Sequence, residues 1–118
     1  MTKEDLLKEI EEYRNMPAGW DNESELVTNP ICLDYAKKFI ELFNGKNLPG
    51  ISAATGNEVS VYWNDDKIYC NIYFSEFGKI HIYYSSEKCT LKLDNIEFDT
   101  PLFSKLLEAI EVLTYLKY

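Results

Sequence analysis

From Gly56 to Leu93 the chain alternates apolar and polar residues with a period of two. Four runs carry the alternation, 56–63, 68–74, 79–84 and 89–93, separated by the short polar clusters 64–67, 75–78 and 85–88. Alternating runs bounded by Asn, Asp, Ser and Gly predict an antiparallel meander. Successive strand side chains point to opposite faces, so each run sorts into two sets. Val59, Val61, Trp63, Ile68, Cys70, Ile72, Phe74, Ile80, Ile82, Tyr84, Cys89, Leu91 and Leu93 form a core face. Ser60, Tyr62, Tyr69, Asn71, Tyr73, His81, Tyr83, Thr90 and Lys92 form a polar face heavy in tyrosine.

On either side the apolar period lengthens to that of a helix. Thr2 with Asp5 reads as a capping box opening a first helix. Its stripe is Leu6, Leu7, Ile10 and Tyr13, while Glu4, Glu9, Glu11 and Glu12 face away, which predicts a surface helix held by one edge at the sheet margin. Asn29-Pro30 supplies an N-cap and a first-turn proline for a second helix, running to about Asn44 with Gly45 as C-cap. Its stripe of Cys32, Tyr35, Ala36, Phe39, Ile40 and Phe43 belongs on the sheet. Residues 51–55 can add a short edge strand, Asp94-Asn95 reads as a turn, and 96–98 is too short to assign.

Thr100-Pro101 repeats the cap and opens a third helix, expected to run nearly to the last residue. Its arc of Leu102, Phe103, Leu106, Leu107, Ile110, Val112, Leu113 and Leu116 is wide, so this helix is expected to be the main one on the sheet. The surplus at Leu107, Val112 and Tyr115 suits either the first helix or a second subunit. The fold expected is therefore α+β: a four- to five-stranded antiparallel meander with helices on one face, in the order α-α-β-β-β-β-α, forming a single domain over residues 1–118.

Composition narrows the partner. Net charge is −8 on 118 residues, with 20 acidic against 12 basic side chains. Phosphate binding draws on Lys and Arg, so direct nucleic-acid contact and docking on anionic lipid are both disfavoured, and a basic protein partner is favoured. Cys32, Cys70 and Cys89 form no C-x-x-C pair. With Cys70 and Cys89 on the inward face, they read as reduced thiols packed as small hydrophobes. No apolar stretch is long enough to span a bilayer and the first residues hold no signal-peptide core, which points to a cytoplasmic protein.

Residues 15–29 form the longest irregular segment, with Pro17, Gly19 and Trp20 inside it. Asp21, Glu23 and Glu25 alternate as in a calcium loop, but Leu26 and Cys32 stand where an EF-hand counted from Asp21 needs Gly and Glu. Trp20 is expected to plug the first two helices. The pieces Met16-Pro17-Ala18-Gly19-Trp20-Asp21, Pro30, Leu48-Pro49 and 56–63 together resemble a group of small prokaryotic and phage proteins with a Gly-Trp-Asp-Gly segment between two helices and a strand ending in Glu-Trp. Asn22 replaces the group's glycine and Tyr62 its glutamate. The resemblance covers about half the chain. It implies a bacterial or phage origin and an α+β fold, and brings no assigned chemistry.

The residues offer no catalytic set. A nucleophilic triad needs a histidine, and the single one, His81, lies between Ile80 and Ile82 on the tyrosine-rich face, where a lone strand histidine reads as a surface or packing residue rather than a base; with three scattered cysteines it gives no local zinc-ligand spacing. No glycine-rich phosphate loop is present, and Asp65-Asp66 sits in a turn where Asp is favoured by the backbone. A protein without catalytic residues, metal or cofactor is the expectation. The leading reading is an acidic inhibitor or antidote, of anti-defence or antitoxin type, that occludes a basic protein. Tyr62, Tyr69, Tyr73, His81 and Tyr83 would form its contact face, with Asp65, Asp66 and Glu76 on the rim. The alternatives are a small-molecule or divalent-metal binder using the 20–25 loop, and a homo-oligomeric domain, a homodimer in the simplest case, built on the third helix.

Overall fold

The computed structural model describes residues 2–22, 25–98 and 100–115, with Tyr115 described by its backbone alone. In chain order the elements are α1 (Lys3–Arg14), α2 (Pro30–Leu42), β1 (Gly50–Ala53), β2 (Val59–Asn64), β3 (Ile68–Phe74), β4 (Lys79–Ser86), β5 (Thr90–Glu97) and α3 (Pro101–Tyr115). The strands form one five-stranded antiparallel sheet in the order β1-β2-β3-β4-β5, the expected meander with residues 50–53 as its first edge.

Local chemistry fixes the ends of these elements. The Thr2 hydroxyl accepts from the Asp5 N–H while the Asp5 carboxylate accepts from the Thr2 N–H, closing the capping box. Asn29 Oδ1 accepts from the N–H groups of Ile31 and Cys32 at the start of α2. Thr100 Oγ1 accepts from the Phe103 N–H and donates to the Glu97 carbonyl, tying α3 to the end of β5. In the β2–β3 turn Asp65 Oδ1 accepts from Lys67 and Ile68, which is why Asp suits that place.

Buried residues of all three helices join the inward residues of the strands in one cluster, so the helices share one face of the sheet. Its centre is Phe39 of α2, whose ring meets Phe43, Trp63, Phe74 and Phe103 at centroid distances of 5.7–6.5 Å. Trp63 satisfies its indole N–H on the Asn47 carbonyl at 2.6 Å. α2, rather than α3, lies over the middle strands β2 and β3, with Cys32, Leu33, Ala36, Phe39 and Ile40 fully buried. α3 lies towards the β5 edge and buries only part of its arc: Phe103, Leu107 and Ile110 are covered, Leu102 and Val112 exposed, and Leu116 is outside the described residues. The wide arc therefore did not make α3 the central helix, because α2 had already taken the middle of the sheet.

Other details differ from the sequence reading. α1 contributes more than one edge, since Leu6 and Ile10 are fully enclosed between α2 and β1. α2 ends at Leu42, and Phe43 turns extended to sink its ring into the core. Gly45 passes beneath that ring, where a β-carbon would lie 2.2 Å from it, so its glycine serves close approach rather than a helix cap.

The largest difference is at 94–98. Asp94-Asn95 is a β-bulge, not the end of the sheet: Ile82 pairs Leu93 and Ile80 pairs Ile96, leaving two residues opposite His81. Asn95 takes the left-handed conformation (φ 58), which asparagine tolerates better than most residues. The extra residue resets the alternation, returning Ile96 to the core side and bringing Phe98 onto Phe103 at 4.4 Å between centroids. Cys89 is exposed in the β4–β5 turn, not inward, and Leu91 is 40% exposed, because among the described residues no helix covers that end of the edge strand.

Candidate functional site: the tyrosine face

Strand register brings the polar set together. Across the sheet, Gly50, Tyr62, Asn71, Tyr83 and Lys92 stand in one row. Ser52, Ser60, Tyr73 and His81 form the next, and Asn64, Tyr69, Ser85 and Thr90 a third. Tyr62, Tyr69, Tyr73 and Tyr83 are 37, 38, 49 and 40% exposed. Each ring therefore lies half against the sheet and half open, a posture suited to a rigid amphipathic contact. Tyr69 and Tyr83 meet edge to face at 5.9 Å.

Tyr62 leans across Gly50 of the edge strand, where a β-carbon would lie 2.5 Å from its ring, so the glycine is what lets the ring lie down. That posture takes Tyr62 to the sheet margin beside Tyr13 of α1. Burial first, then the charges of Glu9, Tyr62 and Glu12, push the Tyr13 phenol above its ordinary value. Burial, then Glu12, likewise raises the Glu9 carboxyl. An open groove of about 460 Å³ runs along α1, lined by Asp5, Lys8, Glu9, Glu12, Tyr13 and Met16, three carboxylates against one ammonium. This acidic margin escaped the sequence reading, since α1 reads as a plain surface helix until Tyr62 is seen to reach it.

Asn71 sits at the middle of the face. Its Nδ2 donates to the Tyr69 hydroxyl at 3.1 Å, while its Oδ1 is buried with no hydrogen-bond partner among the described residues. An enclosed carbonyl oxygen with no donor costs stability, and polar groups left this way call for a reason. His81 lies opposite Tyr73 and is held by the bulge, with Nδ1 3.2 Å from Asp94 Oδ1 and 3.4 Å from the Asn95 nitrogen. If Nδ1 carries a proton it donates to Asp94; if it is bare it accepts from Asn95.

The acidic residues read as a rim are spread differently. Asp65 and Asp66 are exposed in the β2–β3 turn, with Asp65 committed to that turn. Glu76 goes to the N-terminal end of α2, where it accepts from Asn29 Nδ2 at 3.1 Å and lies close enough to Cys32 to help raise that thiol. Phe77, 80% exposed at the neighbouring turn tip, is an apolar contact that the turn pattern concealed.

The 15–29 loop is pinned by its own side chains. Both carboxylate oxygens of Asp21 are used by Thr55, one by its N–H at 2.9 Å and one by its hydroxyl at 2.8 Å. The Trp20 indole donates to Thr28 and packs at a tilt against Tyr13, with ring centroids 5.9 Å apart. Asn22 takes a left-handed φ of 62, a conformation that glycine reaches without cost. Glu23 lies outside the described residues. Among the described residues, no three His, Cys, Asp or Glu side chains gather as a metal site, and no helix is long and apolar enough to cross a membrane.

Compared with known proteins, the chain matches no family model, no curated protein and no solved structure.

Proposed function

We propose that the protein is a non-enzymatic binding module that occludes a basic partner protein with its tyrosine face. The observation that supports this best is the four half-open tyrosines on the sheet face opposite the one that the described helices cover. Tyrosine is favoured at protein contacts because a large rigid ring costs little conformational entropy to order and its hydroxyl accepts water or a partner. The acidic margin at Glu9 and Glu12, and the net charge of −8, would speed encounter with a basic surface. An inhibitor or antidote of phage or bacterial origin fits the acidic balance of the chain and the resemblance of its Gly19-Trp20-Asp21 segment.

The test is affinity capture from bacterial lysate, with the wild type beside a variant carrying Tyr62→Ala, Tyr73→Ala and Tyr83→Ala. The wild type should retain one stoichiometric basic protein that the variant loses, and the melting temperature should move little. A partner held equally by the variant, or a variant that no longer folds, would remove the tyrosine face from the account.

A further inference from the structure

The β5 edge combines an unpaired strand with an uncovered apolar stripe. The Ser86 N–H bonds the Cys89 carbonyl at 2.8 Å, which fixes the phase of the β4–β5 ladder. Leu91 and Leu93 then turn their backbone groups to β4, and Thr90 and Lys92 turn theirs outward. No described residue meets those outward groups. Such an edge is a template for another extended strand. Beyond Leu93 the bulge bends the chain, so the template spans about five residues.

Above this edge, α3 presents Leu102, Leu106, Ala109 and Leu113, spaced four, three and four residues apart and therefore on one side of the helix. Leu106 and Leu113 are half-buried, while Leu102 and Ala109 are exposed. The last three of these line, with Leu91 and Leu93, an apolar gap of about 30 Å³ between α3 and the sheet. Among the described residues the core is thus closed over β2 and β3 and left open along β5.

We infer that a second copy of this chain closes it, through antiparallel β5–β5 pairing about a twofold axis at Leu91. Three features select a copy over a foreign strand. The uncovered side needs both a strand and an apolar helix, and the same edge of a second copy brings both, α3 against α3 across the seam. Pairing centred on Leu91 sets Thr90 opposite the partner's Lys92, so the outward N–H and C=O groups of each meet, and leucine meets leucine on the core side. Lys88, in the β4–β5 turn, and Asp94, at the bulge, flank the template at its two ends, so the same pairing brings opposite charges near each other at both ends of the seam. The twofold axis is perpendicular to the sheet, so the helices stay on one side and two tyrosine faces lie side by side on the other. The inference stands apart from the proposed function, since it uses none of the tyrosines.

Sedimentation equilibrium should give twice the 13.8 kDa chain mass. Lys92→Pro removes an outward N–H without touching the β4 ladder and should leave a folded monomer. Ala109→Glu places a charge on the exposed helix seam and should do the same should proline disturb the strand. In a Cys89→Ser background, Leu91→Cys should form an intermolecular disulfide on mild oxidation. A wild type that stays monomeric at high concentration, or a dimer that survives both seam variants and gives no Leu91→Cys cross-link, would overturn the inference.

Discussion

At the scale of single residues, burial decides what each side chain does. Phe39 is fully buried among four aromatic rings, so Phe39→Ala should cost about 3–5 kcal/mol in chemical denaturation. Asp21→Ala should cost about 1–3 kcal/mol, because it strips the buried Thr55 N–H and hydroxyl of their acceptors. Asn71→Leu should instead raise stability, by removing an unpartnered carbonyl oxygen. A fall in melting temperature would show that the Asn71 amide is satisfied in solution.

The thiols divide the same way. Burial pushes Cys70 up to about 12 and Cys32 up to about 11, from an ordinary value of 9.0, whereas Cys89 is exposed. Folding therefore favours the neutral thiols. Above pH 9 the unfolded chain loses protons that the folded chain keeps, so stability should fall as pH rises from about 9 towards 12. Cys70→Val should flatten that slope in alkaline denaturation curves. Thiol reagents should label Cys89 alone in the native protein and all three cysteines after unfolding.

At the scale of elements, β5 is the informative case. Deleting Asn95 removes the residue that resets the alternation, which would swing Ile96 and Phe98 off the core side. The deletion should destabilise far more than Asn95→Gly, which suits the left-handed backbone and should be neutral or mildly stabilising in thermal melts. The bulge was not legible because Asp-Asn is the same local signal in a turn and in a left-handed bulge. What separates them is the pairing of Ile96 with Ile80, sixteen residues away in the chain. The capping residues Thr2, Asn29 and Thr100, by contrast, were legible because each cap closes on a neighbour two or three residues on.

At the scale of the molecule, one buried cluster links all three helices to the sheet, so unfolding should be a single transition. Trp63 reports from the core and Trp20 from the loop against α1. Single-tryptophan variants, Trp20→Phe and Trp63→Phe, should therefore give the same urea midpoint once each is corrected for its own stability change. An earlier midpoint from the Trp20 signal would make the loop and α1 a separately melting unit. The candidate site was legible in part. Period-two sorting placed Tyr62, Tyr69, Tyr73 and Tyr83 on one face, which the register reproduces. It had no means of sending Glu76 to α2 or of bringing Tyr62 close enough to Tyr13 to affect it, because those meetings join residues from different elements.

The sequence by itself determined the four-run meander, the side to which the residues of β2, β3 and β4 point, the helix starts and the tyrosine composition of the outer face. All of these follow from alternation, capping and turn chemistry acting over a few residues. Tertiary structure alone decided which helix holds the centre, why Cys89 and Leu91 stay uncovered, how Asn71 became enclosed and that the β5 edge is left open. Those outcomes depend on how three helices divide the area of one sheet. α2 and α1 cover β1 to β3, and the described part of α3 lies towards β5 without covering Leu91.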